Sequence, residues 1–246
     1  MIEVIPSEKR HHFENEWLST NWHFSFDDYH DPRNMFFGPL RVFNDDIVQP
    51  ESGFPTHPHR EMEIVTYVID GALEHRDQMG NRGVVHAGEV QRMSAGTGIR
   101  HSEFNRSKTT PVHLLQLWIL PSVKGSAPSW EQKSYSLEAR KGKLLAIAEP
   151  AERARKAGEA SGAVSIQQDA TIFTSLLAPG EKVSHQLDRG RRAYVFVIEG
   201  KLDVNGKVLT KGDQARIAPR VRRERQLKFK AADGVASADF LLLDLP

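Results

Sequence analysis

A chain of 246 residues, 39% hydrophobic and 26% charged, has the composition of a soluble globular protein, long enough for one large or two smaller β-domains. It contains no cysteine, which excludes disulfides, zinc–thiolate sites and cysteine nucleophiles; with no signal-like N-terminus and no apolar run of about 20 residues, a cytoplasmic location is expected. The formal net charge of +1 conceals a basic stretch, 13 Lys/Arg against 5 Asp/Glu between Val183 and Lys230.

In chain order, the first informative segment is Phe54-Pro55-Thr56-His57-Pro58-His59-Arg60-Glu61-Met62-Glu63. An apolar-alternating strand is expected at once after it, from Glu63 to Ile69. The second segment, Ser94 to Asn105, puts His101 and Glu103 after the turn Gly96-Thr97-Gly98. Side chains two apart on a strand share a face and stand roughly 7 Å apart. His57 and His59 therefore point together, as do His101 and Glu103. Two such strands lying side by side bring three imidazoles and a carboxylate to one point, a metal site.

Further strands are expected at Val112–Leu120, Ala170–Leu177, Arg192–Ile198 and Phe240–Leu245, with glycine or Asx turns between them. The one helical candidate, Glu149 to Ala160, lacks an apolar stripe and reads as an exposed insertion. Val68-Ile69-Asp70-Gly71-Ala72-Leu73 is repeated as Val197-Ile198-Glu199-Gly200-Lys201-Leu202, and Ala87-Gly88-Glu89 as Lys211-Gly212-Asp213. The fold class is therefore all-β, with two copies of one β-barrel unit in tandem. The boundary is placed in the polar stretch after Pro121, giving domains 1–125 and 126–246. The repeat offsets map His57 and His59 onto Gln186 and Asp188, and His101 and Glu103 onto Arg225 and Leu227, with His185 one register step away. No second ligand set can be assembled from these, so the C-terminal copy is expected to keep the fold without a metal.

The spacing Gly53-x3-His57-x-His59-x3-Glu63-x7-Gly71, with Gly88 and His101-x3-Asn105, resembles the two motifs of the cupin superfamily. The wording His57-Pro58-His59-Arg60, Val65-Thr66-Tyr67-Val68-Ile69-Asp70-Gly71, Met93-Ser94-Ala95-Gly96-Thr97-Gly98-Ile99 and His101-Ser102-Glu103 is narrower and resembles the pirin family. So do Gln116-Leu117-Trp118 and the terminal Leu243-Asp244-Leu245-Pro246. The resemblance implies a bicupin of two jelly-roll barrels in which only the first holds an ion, through His57, His59, His101 and Glu103. It implies iron(II) as first choice, while the ligand chemistry alone also admits nickel, copper and zinc. It further implies quercetin 2,3-dioxygenase activity, the opening of a flavonol ring by dioxygen with loss of carbon monoxide, with Glu103 both ligand and general base. The alternative it carries is a non-catalytic, metal-holding interaction protein that regulates a transcription factor or a metabolic enzyme.

Glu63 occupies the place of the glutamate that many other cupins use as a ligand; the pirin resemblance gives that part to Glu103, so Glu63 is expected behind the site or facing solvent. Met93, Phe54, Phe43, Gln116 and Trp118 are candidates for cavity or plain core, Gln116 being a polar group on an apolar strand that needs a partner. Asn105 is expected to fix a turn. His11, His12, His23, His30, His75, His86 and His113 lack ligand-spaced partners and read mostly as surface or turn residues. In the basic stretch, alternation such as Arg189/Arg191 and Lys201/Asp203 fits outward strand positions, and no aromatic residues interleave, so nucleic acid is not expected. A monomer that works on its own is expected.

Overall fold

The computed structural model describes residues 1–157 and 162–246, and most of them are in strands. Two compact units emerge. One comprises His11–Tyr135 and Pro150–Gln168; the other comprises Met1–Arg10, Ser136–Glu149 and Asp169–Pro246. This division is not linear in sequence, unlike a single boundary at residue 125. Ile2–Ile5 leaves the N-terminal half because it forms an antiparallel ladder with Gln214–Ile217. The stretch around Val164–Ile166 belongs to the first unit because the Ser165 amide donates to Glu131 Oε2 (3.0 Å) and the Gln167 amide to Glu63 Oε2 (3.1 Å).

The first unit pairs two antiparallel sheets. The larger runs Ser129–Ser134, Glu89–Ser94, Glu63–Asp70, Val112–Ile119, Leu40–Val48, Leu18–Trp22 and His11–Glu14 in spatial order. The smaller runs Gly53–His59, Ile99–Phe104, Ala72–Asp77 and Arg82–His86. Val48, Val68, Leu73, Val85, Val112 and Leu114 pack in one core cluster, and Ile64, Met93, Ala95 and Ile99 in a second. Gly53–His59 is an edge strand, which is why it tolerates Pro55 and Pro58.

In the second unit, Ile2–Ile5, Gln214–Ile217, Arg192–Val204, Ala238–Leu245, Thr171–Leu177 and Leu145–Pro150 are neighbours in that order. Lys182–Gln186 pairs with Gln226–Ala231, which also pairs with Arg192–Val204. One cluster, including Leu187, Leu202, Val204, Leu227, Phe229, Phe240 and Leu242, fills the interior.

The predicted strands are present with shifted ends: Glu63–Asp70, Val112–Ile119, Thr171–Leu177, Arg192–Val204 and Ala238–Leu245. The repeat is visible in the backbone. Gly71 and Gly200 take φ +79° and +80°, Gly88 and Gly212 both +81°, and a Cβ on Gly71 or Gly200 would collide with a facing carbonyl. Of the helical stretch predicted from Glu149 to Ala160, Glu149 and Pro150 instead end the strand Leu145–Pro150, Ala151–Ala157 is a helix, largely exposed over 151–156, and residues 158–160 lie outside the described residues.

Candidate metal centre

The ladder between Gly53–His59 and Ile99–Phe104 sets His57 directly opposite His101, and Ile99 opposite His59. Register slips between His101 and Glu103, where the pairing jumps from His57 to Phe54 and leaves Pro55 and Thr56 as an extra step. Such a bulge re-aims the side chains beside it. Ring centroids are 4.7 Å apart for His57 and His59, 4.5 Å for His57 and His101, and 4.9 Å for His59 and His101. One ring nitrogen from each of the three lies within 4.8 Å of the others. Glu103 is not in that close group. It forms a second one, by the same distance measure, with His101 and His75.

Hydrogen bonds dictate which nitrogens are available. His57 Nδ1 lies 2.8 Å from the Pro55 carbonyl. A carbonyl only accepts, so Nδ1 carries the proton and neutral His57 presents a bare Nε2. His101 Nδ1 lies 3.4 Å from His75 Nδ1, and His75 Nε2 lies 3.3 Å from Asp77 Oδ2. Asp77 already accepts from the Asn81 side chain (2.8 Å) and from the backbone N–H groups of Met79 (2.9 Å) and Asn81 (3.0 Å). It acts as acceptor toward His75 as well. His75 Nε2 then donates to Asp77, His75 Nδ1 accepts from His101, and His101 Nε2 is left with a lone pair. That Nε2 is buried and has no hydrogen-bond partner. Burial first, then the neighbouring imidazoles, push His59 and His101 down to about 3, so both rings are neutral near pH 7.

Two matching arms hold Glu103. Gln91 Nε2 donates to Oε1 at 3.0 Å and Gln116 Nε2 to Oε2 at 2.7 Å. Trp130 Nε1 donates to Gln91 Oε1 at 2.9 Å, and Trp118 Nε1 to Gln116 Oε1 at 3.0 Å. An indole N–H can only donate, so each tryptophan fixes which end of its glutamine amide faces the carboxylate. Trp118 also meets His59 edge-on, with centroids 4.8 Å apart.

A cavity of about 360 Å³ opens onto Glu103 and His57 and is walled by Phe13, Trp17, Trp22, Phe26, Phe54 and Trp118. Of the residues considered as lining, Phe54, Gln116 and Trp118 border it. Met93 packs in an apolar cluster and Phe43 stacks on His23. Glu63 is buried rather than solvent-facing. It accepts from Ser94 Oγ at 2.7 Å, away from the histidine group, and burial raises its pKa. Asn105 ties its turn by donating to the Val48 and Thr110 carbonyls at 3.0 and 2.9 Å and accepting from the Ser107 amide at 3.0 Å. His75 and His23 are fully buried, contrary to the surface reading of the remaining histidines. His75 and Asp77 have the same i, i+2 spacing as His57 and His59 and face His101 and Glu103 across the ladder; that spacing was the signal for them. Gln91, like Gln116, is a polar residue in an inward apolar run.

Residues 6–119 match the Pirin family, and residues 156–245 match the Quercetinase C-terminal cupin domain. The chain is 39% identical over its whole length to a protein of Escherichia coli K12 named quercetin 2,3-dioxygenase, covering 99% of that protein. It is 42% identical over 88% of its length to a pirin-like protein of Caulobacter vibrioides, covering 90% of it. The chain belongs to the pirin family. Both units of this pirin are thus cupin-type domains. Its fold superposes with a TM-score of 0.89 on the crystal structure of the bacterial pirin YhhW from E. coli in complex with nickel(II). Identity there is 37%, with coverage of 100% of this chain and 99% of that one. No helix among the described residues is long and apolar enough to cross a membrane.

Proposed function

We propose that this pirin is a metal-dependent dioxygenase that opens the ring of a flavonol such as quercetin with release of carbon monoxide, the ion held by His57, His59, His101 and Glu103. The observation that carries the reading is His101 Nε2, buried and unpartnered within a group of three inward histidines. An unpaired buried polar atom costs about 1–3 kcal/mol, and coordination removes that cost. Neutral imidazoles with a carboxylate suit iron, nickel, copper or zinc rather than magnesium or calcium. Iron(II) is the first choice from the family resemblance, and the nickel(II) complex of the E. coli relative supports nickel as an alternative. When bound, the ion would acidify a hydroxyl coordinated to it and supply the redox chemistry that dioxygen requires.

The chain's own residues do the rest. His57 and His101 present fixed Nε2 lone pairs. The two glutamine arms orient Glu103 while leaving each of its oxygens a second lone pair, so it can take the proton of a ligand hydroxyl at the cavity floor. The aromatic walls exclude water and offer faces for a flat ring system.

Anaerobic reconstitution with iron(II), nickel(II), copper(II) or zinc(II), followed by quercetin and oxygen, tests this. Loss of the flavonol absorbance with carbon monoxide released, and neither in His59→Ala, is the expected result. Stoichiometric metal binding with no turnover for any of the four would sink it. A Glu103→Gln variant that keeps its metal and the original rate would remove the base role alone.

A further inference from the structure

The strand Leu40–Val48 carries an anomaly that the metal group does not use. Its inward positions read Leu40, Val42, Asn44, Asp46 and Val48, two polar residues in a row that is otherwise apolar. Asn44 pairs across the sheet with Trp22 and Gln116, and Asp46 with Thr20 and Leu114. Both line the cavity, Asn44 4% and Asp46 2% exposed. Asn44 Oδ1 has no hydrogen-bond partner. Thr20 Oγ1 donates to Asp46 Oδ1, a fraction of what a carboxylate can accept. A barrel needing only stability would have kept this row apolar, because unpaired buried polar atoms destabilise.

We propose that Asn44 and Asp46 form an acceptor subsite on the cavity wall that binds a phenolic hydroxyl of an aromatic ligand. The subsite rests on the flavonol reading above and specifies which flavonols are taken. The unpartnered Asn44 Oδ1 can only accept, as can the ionised Asp46 carboxylate, so the missing partner must bring O–H or N–H. The surrounding Trp22, Phe26 and Trp118 faces require that donor to sit on a flat apolar frame. A polyhydroxylated ring meets both demands, with one hydroxyl toward Glu103 and His57 and another toward Asn44 and Asp46. Discrimination of this kind is strong because a ligand lacking the hydroxyl leaves the buried acceptors unpaired.

The test is spectral titration of the full chain at pH 8 under argon with quercetin, galangin, which lacks hydroxyls on its pendant ring, and 3-hydroxyflavone, which has only the one. Wild type is expected to bind quercetin at least about tenfold more tightly than 3-hydroxyflavone. Asn44→Leu and, separately, Asp46→Asn should each shrink that ratio by about threefold or more without weakening 3-hydroxyflavone. Asn44→Leu should melt at the same or a higher temperature, which separates lost recognition from lost folding, and the nearly isosteric Asp46→Asn is a second check. Equal affinity of wild type for all three ligands, or an unchanged ratio in both variants, overturns the subsite and leaves the flavonol reading standing. If none of the three binds, the flavonol reading falls and the subsite with it.

Discussion

In the first unit, strand Gly53–His59 sets His57 opposite His101; in the second, strand Lys182–Gln186 sets His185 opposite Leu227 and Val183 opposite Phe229. The frames share their turns, down to Gly71 and Gly200 at nearly the same positive φ. The contents differ. One interior keeps a cavity, three converging imidazoles and a carboxylate gripped by two amides; the other is packed with leucine, valine and phenylalanine. The single inward histidine of the second, His185, is engaged by Asp244 at 2.6 Å, and Asp244 also accepts from Arg191. Among the described residues, no group of three possible ligands occurs there. A jelly-roll frame thus specifies neither a site nor its absence; a few inward positions on paired strands do.

The sharpest test of this contrast is metal content. His101→Ala should abolish tight binding of a divalent transition metal by calorimetry, whereas His185→Ala should leave stoichiometry and affinity at wild-type values. Metal retained in the first variant or lost in the second would break the comparison. Packing gives the next largest effect. Phe240 is fully buried in the filled barrel, so Phe240→Ala should cost about 3–5 kcal/mol in denaturant unfolding. Phe54, beside the cavity, has fewer partner atoms to lose, and Phe54→Ala should cost clearly less.

A third prediction uses Asp46. Burial above all, with Asp45 and Glu103 adding to it and Thr20 and His113 opposing, raises its pKa from 3.8 to about 7. Between about pH 4 and 7 the folded protein therefore holds a proton that the unfolded chain has released, so Asp46 lowers stability as pH rises through that window. His59 and His101, whose pKa values are depressed, act with the opposite sign over an overlapping range. Only the difference between variant and wild type isolates Asp46. Asp46→Asn should be near neutral at pH 4 and stabilising at pH 8, by at most about 4 kcal/mol; a pH-independent difference would refute the assignment. The smallest effect is expected at His75. Replacing it with Phe cuts the chain from Asp77 to His101 and should weaken metal binding about 10- to 100-fold without abolishing it. In the metal-free protein, nitrogen NMR should show the His101 proton moving off Nδ1 for part of the population.

The strands, the internal repeat and the converging histidines were all legible in the sequence because each rests on a local period: alternation along a strand, or glycine at a fixed turn. What escaped was pairwise and non-local. His75 looked unpartnered because His101 becomes its neighbour only when Ala72–Asp77 lies against Ile99–Phe104; Asp77, two residues along its own strand, was the local half of the signal. Gln116 announced itself as polar on an apolar strand, and its clamp Trp118 lies two residues along the same strand, but its twin at Gln91, with Trp130 and the shared Glu103, depends on three further strands. Asn44 and Asp46 were readable in principle, as polar interruptions at alternate positions of an apolar run. Ile2–Ile5 pairs with Gln214–Ile217, some 210 positions away, and no windowed pattern carries such information.

Trp118 stands 4.8 Å from the His59 ring, and Trp130 stacks at 5.8 Å on His75. An open-shell ion seated among these imidazoles would drain the excited state of both indoles, while zinc, with its filled d shell, would leave them bright. The tryptophans that clamp the glutamines thus also serve as a built-in lamp, and dimming of the protein's own emission tells an open-shell ion from zinc.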